Sequence, residues 1–186
     1  MKRIIVLAFA VIASLGSAFS QPMAVNTQPA GAAKEIKWHS LQEALKMAAS
    51  SPKKIFIDVY TDWCGWCKRM DATTFKDPMV IDYMNKYFIA VKFNSEKEDT
   101  ITYKGKLYIK QPDSKVNDLA IFFLNSKMSY PTTVYLNENA DLIQPIPGYR
   151  EATEMGMFLT YIGADMARWI TWENYQPVYK IIKDAN

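Results

Sequence analysis

Histidine and cysteine are scarce in this chain, with one of the former and two of the latter in 186 residues. A zinc site takes about four ligands, so His39, Cys64 and Cys67 do not complete one without carboxylates or a second chain. Attachment of c-type haem needs a histidine directly after the second cysteine of a C-x-x-C run, and Lys68 stands there. The ten methionines are scattered and mostly fall at core spacing, which gives no copper site. An excess of charge of one sign is also missing. Lys and Arg number 22 against 19 Asp and Glu, and without Lys2 and Arg3 the balance is 20 to 19, a net charge of +1. Nucleic acid and anionic membrane are therefore not indicated as partners. There is no internal repeat.

The apolar run Ile4 to Ile12 is continuous but too short to cross a bilayer comfortably. Lys2 and Arg3 precede it, and Ala18-Phe-Ser20 follows with small residues where a signal peptidase reads, so residues 1–20 read as a secretory signal cleaved after Ser20. A membrane anchor is the competing reading of the same segment. No cysteine follows it, which excludes anchoring through a lipidated cysteine. Residues 21–35, with Pro22, Pro29 and Gly31 and no apolar period, read as a flexible linker. Residues 36–186 are expected to form one domain, and 49% hydrophobic residues can fill one core. Export would place the chain in the periplasm or outside the cell, where disulfides persist.

What is present is a pair of cysteines two residues apart, in Asp62-Trp-Cys64-Gly-Trp-Cys67-Lys68. Lys54 to Tyr60 is apolar and β-branched and reads as a buried strand; the residues after Cys64 read as a helix. Cys64 would then lie at a helix N-terminus, where unpaired N–H groups and the helix dipole favour thiolate over thiol. A disulfide closing so short a loop restricts the unfolded chain little, so it is a poor staple. Redox chemistry is the stronger reading.

Around this motif the pattern is alternately helical and extended. Ser40-Leu-Gln-Glu43 is a capping box opening a helix to about Ser50, and Pro52 ends it. Asp77-Pro78 starts another helix with Val80, Ile81 and Met84 inward, followed by a strand from Phe88 to Phe93. Ile101 to Ile109 alternates about Gly105 as a short hairpin or ordered loop. A helix from about Ser114 to Lys127 is expected, with Val116, Leu119, Ala120 and Phe123 inward. Thr132 to Leu136 and Leu142 to Ile146 form an antiparallel hairpin ended by Pro147-Gly148. From Glu151, apolar residues as far as Trp169 and Ile170 keep the helical period and predict one long closing helix.

This order of strands and helices, and several residues within it, resemble the thioredoxin superfamily over most of 53–161. Trp63-Cys64-Gly65 is similar to that family's approach to its nucleophile, Asp58 stands where thioredoxins carry a buried carboxylate, and Lys92 falls on the next family strand, near that carboxylate. Tyr130-Pro131-Thr132 resembles the cis-proline loop that faces the disulfide. Trp66 departs from the usual proline, and the path from Lys92 to Pro131 is longer than usual. The opening from Trp38 to Leu45 and the segment Phe75 to Ile81 look closer to exported thioredoxin-like proteins and to the periplasmic domain of transmembrane disulfide reductases. The resemblance implies an α/β thioredoxin fold. A central mixed sheet would be flanked by helices, with an insertion before the cis-Pro loop and an extended C-terminal helical segment.

It also implies a thiol-disulfide oxidoreductase outside the cytoplasm, with reduction favoured over oxidation or isomerisation. In that role Cys64 attacks a substrate disulfide and Cys67 resolves the mixed disulfide. Asp58 would serve as the base for Cys67 and Lys92 would tune its charge. Trp63, Gly65, Trp66, Tyr130 and Pro131 would form the substrate face. No cofactor or metal is required. The implied partners are disulfide-containing exported proteins and a membrane electron donor, not nucleic acid, and the chain is expected to be a monomer. Plainer readings stay open: Asp58 paired simply with Lys54 or Lys92, Lys92 solvated, Pro131 a trans turn residue, the two tryptophans as packing groups. His39 reads as a surface or capping residue. The rival function is a non-enzymatic thioredoxin-fold binding or chaperone module.

Overall fold

The computed structural model describes residues 35–97 and 100–184. The expected signal and most of the expected linker lie outside the described residues. Among the described residues no helix is long and apolar enough to cross a membrane.

The domain opens with β1 (Trp38–His39) and α1 (Leu41–Ala48). The capping box is present: Ser40 Oγ accepts the Glu43 N–H at 3.3 Å, and Glu43 Oε2 accepts the Ser40 N–H at 2.9 Å. Ser40 therefore takes the cap, and His39 is half-buried on β1 rather than free at the surface. Then come β2 (Lys54–Tyr60), α2 (Gly65–Ala72), α3 (Pro78–Tyr87) and β3 (Phe88–Asn94). The Asp77 carboxylate caps α3 by accepting the N–H groups of Met79 and Val80. A hairpin of β4 (Thr100–Tyr103) and β5 (Lys106–Ile109) precedes α4 (Asp118–Phe123). The chain closes with β6 (Thr132–Leu136), β7 (Leu142–Pro147), α5 (Ala152–Gly163) and α6 (Trp172–Asp184).

Five strands form one mixed sheet in the order β1-β3-β2-β6-β7. β1 and β2 run parallel to β3, whereas β6 runs antiparallel to β2 and to β7. Pro145 and Pro147 sit on β7, an edge strand, where a missing N–H is tolerated. Alternation along β2 divides the core. Ile55, Ile57 and Val59 pack under α1, α4 and the β4–β5 hairpin, whereas Phe56 faces Met70 of α2, Val80 and Met84 of α3, and Met155 and Leu159 of α5. Asp58 shares the parity of Phe56, so the strand aims it at the layer that contains α2.

Two expected helices are corrected. The one predicted over 114–127 shortens to α4, because Ser114 Oγ bonds the N–H and C=O of Val116 and competes with helix formation. Asn117 takes the cap, and Asn125 and Ser126 end the helix at φ of 49° and 60°. The long closing helix breaks after Gly163. Asp165 turns left-handed at φ 52° and reaches Lys54 at 3.0 Å, and α6 folds back on α5 with Trp172 stacked on Phe158 at 4.5 Å. Trp169, expected to face inward, is 83% exposed. The short β1 was not anticipated.

Gly163 marks a close helix contact against a Cβ rather than a side-chain tip. A Cβ there would meet Tyr87 Cβ at 2.6 Å, whereas one on Gly65 meets nothing within 4 Å. Tyr87 Cβ is fixed to the α3 backbone and cannot yield as a side-chain tip would. Gly163→Ala is expected to lose about 1–3 kcal/mol in urea unfolding despite alanine's better helix propensity. Gly65→Ala should stay within about 1 kcal/mol of the parent. Equal midpoints for the two variants would contradict the packing account.

Candidate functional site

The site is built where β2 ends and α2 begins. After Tyr60 the chain leaves the sheet, and Cys64 becomes the N-cap of α2, with its N–H bonded to Thr61 O at 3.3 Å and its Sγ accepting the Cys67 N–H at 3.1 Å. Cys64 and Cys67 are joined in a disulfide, and both are buried. An N–H aimed at Sγ, together with the helix dipole, holds negative charge on Cys64 once the bond is reduced. Gly65 begins the helix, is exposed and has open space above it.

Aromatic groups stand on both sides. Trp63 is 66% exposed, packs edge-on against Tyr130 at 5.8 Å and donates its indole N–H to Glu96 Oε1 at 3.0 Å. Tyr130 is fixed in turn by a 2.8 Å bond from Ser95 Oγ, and burial pushes its hydroxyl pKa up. Trp66, 57% exposed, leans on Tyr149 at 5.3 Å, and the Arg69 guanidinium sits 5.5 Å from its ring. Neither indole is part of the core. The Tyr130–Pro131 bond is cis, and Pro131 O accepts the Gly148 N–H at 2.7 Å, where Gly148 uses φ 96°. The open alternative of a trans proline does not hold.

A charge cluster links β2 and β3 to α2. Asp58 is completely buried, in register with Lys92 on one side and Thr133 on the other. Its Oδ2 accepts from Lys92 Nζ at 2.6 Å, while Oδ1 has no hydrogen-bond partner among the described residues. Burial pushes the Asp58 pKa up to about 6, against the lowering pull of Lys92. Lys92 also bonds Asp71 of α2, and its ammonium lies about 5 Å from the rings of Trp38, Tyr60 and Phe75. Burial disfavours that ammonium, but Asp58 and Asp71 outweigh it and leave the Lys92 pKa raised. Lys54, the other lysine considered for Asp58, instead pairs with Glu138 at 2.7 Å and Asp165 at 3.0 Å.

Trp63, Cys64, Gly65, Trp66 and Cys67 sit at or just before the start of α2, Tyr130 packs on Trp63, and Asp58 is linked to α2 through Lys92 and Asp71. Asp71, Tyr149, Arg69, Ser95 and Glu96 were missed. Asp71 had a signal, since it follows Cys67 by four residues and shares its helix face. The others come from loops or from the exposed helix side and carried none. Among the described residues, no three or more His, Cys, Asp and Glu side chains are grouped to hold a metal ion.

A central mixed sheet with helices on both faces, a C-x-x-C disulfide at a helix start and a cis-proline ahead of β6 define a thioredoxin-fold protein with a redox-type cysteine pair. Residues 28–157 match the model of the Thioredox_DsbH family, described as a protein of unknown function, DUF255, and the chain belongs to that family. It is 19% identical to a thioredoxin from Thermus thermophilus, with a TM-score of 0.52 covering 69% of this chain and 87% of that one. A thioredoxin-fold protein from Helicobacter pylori is 18% identical, with a TM-score of 0.52 over 82% of this chain and 91% of that one. In sequence it is 32% identical over 59 residues to the thiol:disulfide interchange protein DsbD of Pectobacterium atrosepticum, a match covering 30% of this chain and 10% of that protein. The matched segment thus spans about a tenth of the curated relative.

The buried carboxylate makes stability depend on pH. An acid whose pKa rises from 3.8 when unfolded to about 6 when folded binds more protons in the native state, so its contribution is fully present below pH 3.8 and is lost as pH rises through 6. The loss is on the order of 2–3 kcal/mol. Asp58→Asn should lack this component, so urea unfolding at pH 4.5 and 7.5 should give a smaller difference for the variant than for the parent. An unchanged difference would mean that Asp58 titrates normally.

Proposed function

We propose that this protein is a thiol-disulfide oxidoreductase working outside the cytoplasm, with residues 1–20 as an export signal, 21–35 as a linker and 36–186 as the working domain. The observation that carries the reading is the Cys64–Cys67 bond in the first turn of α2, with Cys64 Sγ accepting a backbone N–H. Its placement between two exposed indoles offers apolar area to a partner chain.

In the reducing direction, the Cys64 thiolate attacks one sulfur of a substrate disulfide. A bond forms to Cys64 Sγ, the substrate S–S bond breaks, and the other substrate sulfur leaves as thiolate. Asp58 takes the proton of Cys67; the Cys67 thiolate then attacks Cys64 Sγ, releasing the second substrate thiolate and restoring the Cys64–Cys67 bond. A carboxyl with a pKa near 6 is matched to this task, since it accepts a proton at neutral pH and still holds it measurably. Lys92 keeps the carboxylate from rising further. Trp63, Trp66, Tyr130 and the cis Pro131 receive the substrate as an extended segment.

Disulfide-containing exported proteins are the proposed substrates. The oxidised pair then needs two electrons from a dithiol donor, and a membrane protein is the donor that the resemblance to exported thioredoxin-like proteins implies. No cofactor enters these steps, and one copy of the chain suffices.

The expected reduction potential of the Cys64–Cys67 pair, measured by equilibration with dithiol buffers, lies near the reducing end of the thioredoxin range, about −270 mV; a value near about −120 mV would reverse the proposed direction. Cys67→Ala should accumulate a mixed disulfide with substrate that Cys64→Ala does not form. Binding of a partner without any turnover by the parent would favour a binding module instead.

A further inference from the structure

In the proposed reaction Asp58 can take the Cys67 proton only as a carboxylate, so an Asp58 that is already a carboxylic acid must first lose its proton. Asp58 has no exposed surface, and the cysteine face is the side a substrate covers. Among the described residues, the hydrogen-bond partner of its carboxylate is Lys92, whose side chain is 22% exposed and extends to Asp71, 45% exposed. These two residues line a cavity of about 210 Å³ together with Glu35, Ile36, Trp38, Phe75 and Lys76. At about 30 Å³ per water, that volume holds several molecules.

We propose that Asp71 and Lys92 form a rear proton outlet for Asp58, opening into this cavity rather than onto the substrate face. This rests on the oxidoreductase reading and adds to it a route that stays open while substrate is docked. Asp58 as a carboxylic acid passes its proton to Lys92 as Lys92 passes one of its own to Asp71. Lys92 is an ammonium before and after, Asp58 returns to carboxylate, and Asp71 releases the proton to cavity water. No electron moves in this step. The three rings around Lys92 hold its ammonium between the two carboxylates. Asp71 acts through Lys92 and is a positioning residue. The charged groups facing the relay are Asp58 on β2, Lys92 on β3, Asp71 on α2, Lys76 in the turn after α2, and Glu35 ahead of β1.

The test uses the reduced protein mixed with an aryl disulfide that releases one coloured thiolate when Cys64 attacks and a second when Cys67 resolves. Asp71→Asn is expected to slow the second release about tenfold near pH 5.5, where Asp58 is largely a carboxylic acid and must empty before it can take the Cys67 proton, and little at pH 8, which shifts the pH profile. Asp71→Glu should restore most of the rate, and formate, small enough for the cavity, should speed the Asn variant but not the parent. Lys180→Met, at an exposed position on α6 outside the cavity, should match the parent. Identical second-phase rates and pH profiles in parent and Asp71→Asn, or equal slowing in Asp71→Glu, would overturn the outlet. A parent that never shows the second release would overturn the oxidoreductase reading itself.

Discussion

The charge that the rest of the structure is arranged around is the carboxylate of Asp58, taken wholly out of water on the central strand. A buried ion is costly unless paired, and here a single ammonium serves. Lys92 reaches it from β3, and the same ammonium touches Asp71 on α2 and the rings of Trp38, Tyr60 and Phe75. One cation therefore ties β1, β2, β3, α2 and the turn after α2. The pairing depends on the parallel register that sets Asp58 beside Lys92. A slip of one residue would send Lys92 to the opposite face and leave the carboxylate alone.

The same strand that buries the carboxylate delivers the cysteines. β2 is paired on both sides and all but its last residue are buried, so its end is a rigid launching point for α2. Cys64 lies at the helix start and draws on the dipole, while Asp58 lies buried on the strand that leads into it. The two kinds of group answer to different physics, one to oriented N–H groups and the other to desolvation. In the proposed mechanism, fixing both to one strand–helix junction lets them act on one reaction. The C-terminal extension is attached elsewhere: Asp165, at the break before α6, pairs with Lys54 at the opposite end of β2 from the cysteines. α6 adds a third small core around Met157, Tyr175 and Tyr179.

Legibility in the sequence followed the range of the interaction. β2 was readable from Lys54 to Tyr60 because a strand buried on both faces is apolar almost throughout, and the caps at Ser40 and Asp77 were readable because capping is settled within four residues. The ends of α4 were not, since the turn at Ser114 and the left-handed residues Asn125 and Ser126 compete locally with a period that continues through them. The break after Gly163 was hidden for the same reason: Met166 and Ile170 keep the helical spacing, yet they face the small core under α6. β1, two residues long, has no period to detect.

At the site, the sequence by itself determined which atoms can exchange electrons, because only two cysteines exist and their spacing with the preceding strand puts one at a helix start. It also placed Asp58 and Lys92 near that pair through likeness to a family. Tertiary structure alone decided what those groups can do. The protonation of Asp58 near pH 6 comes from its complete burial, a property of packing that no neighbouring residue in the chain encodes. The choice of Lys92 over Lys54 as its partner comes from strand register, and the seating of Trp63 on Tyr130 and Trp66 on Tyr149 comes from loops that meet only in the folded chain. Spacing along the backbone specifies local geometry; desolvation and contact between distant segments exist only once the sheet has closed over them.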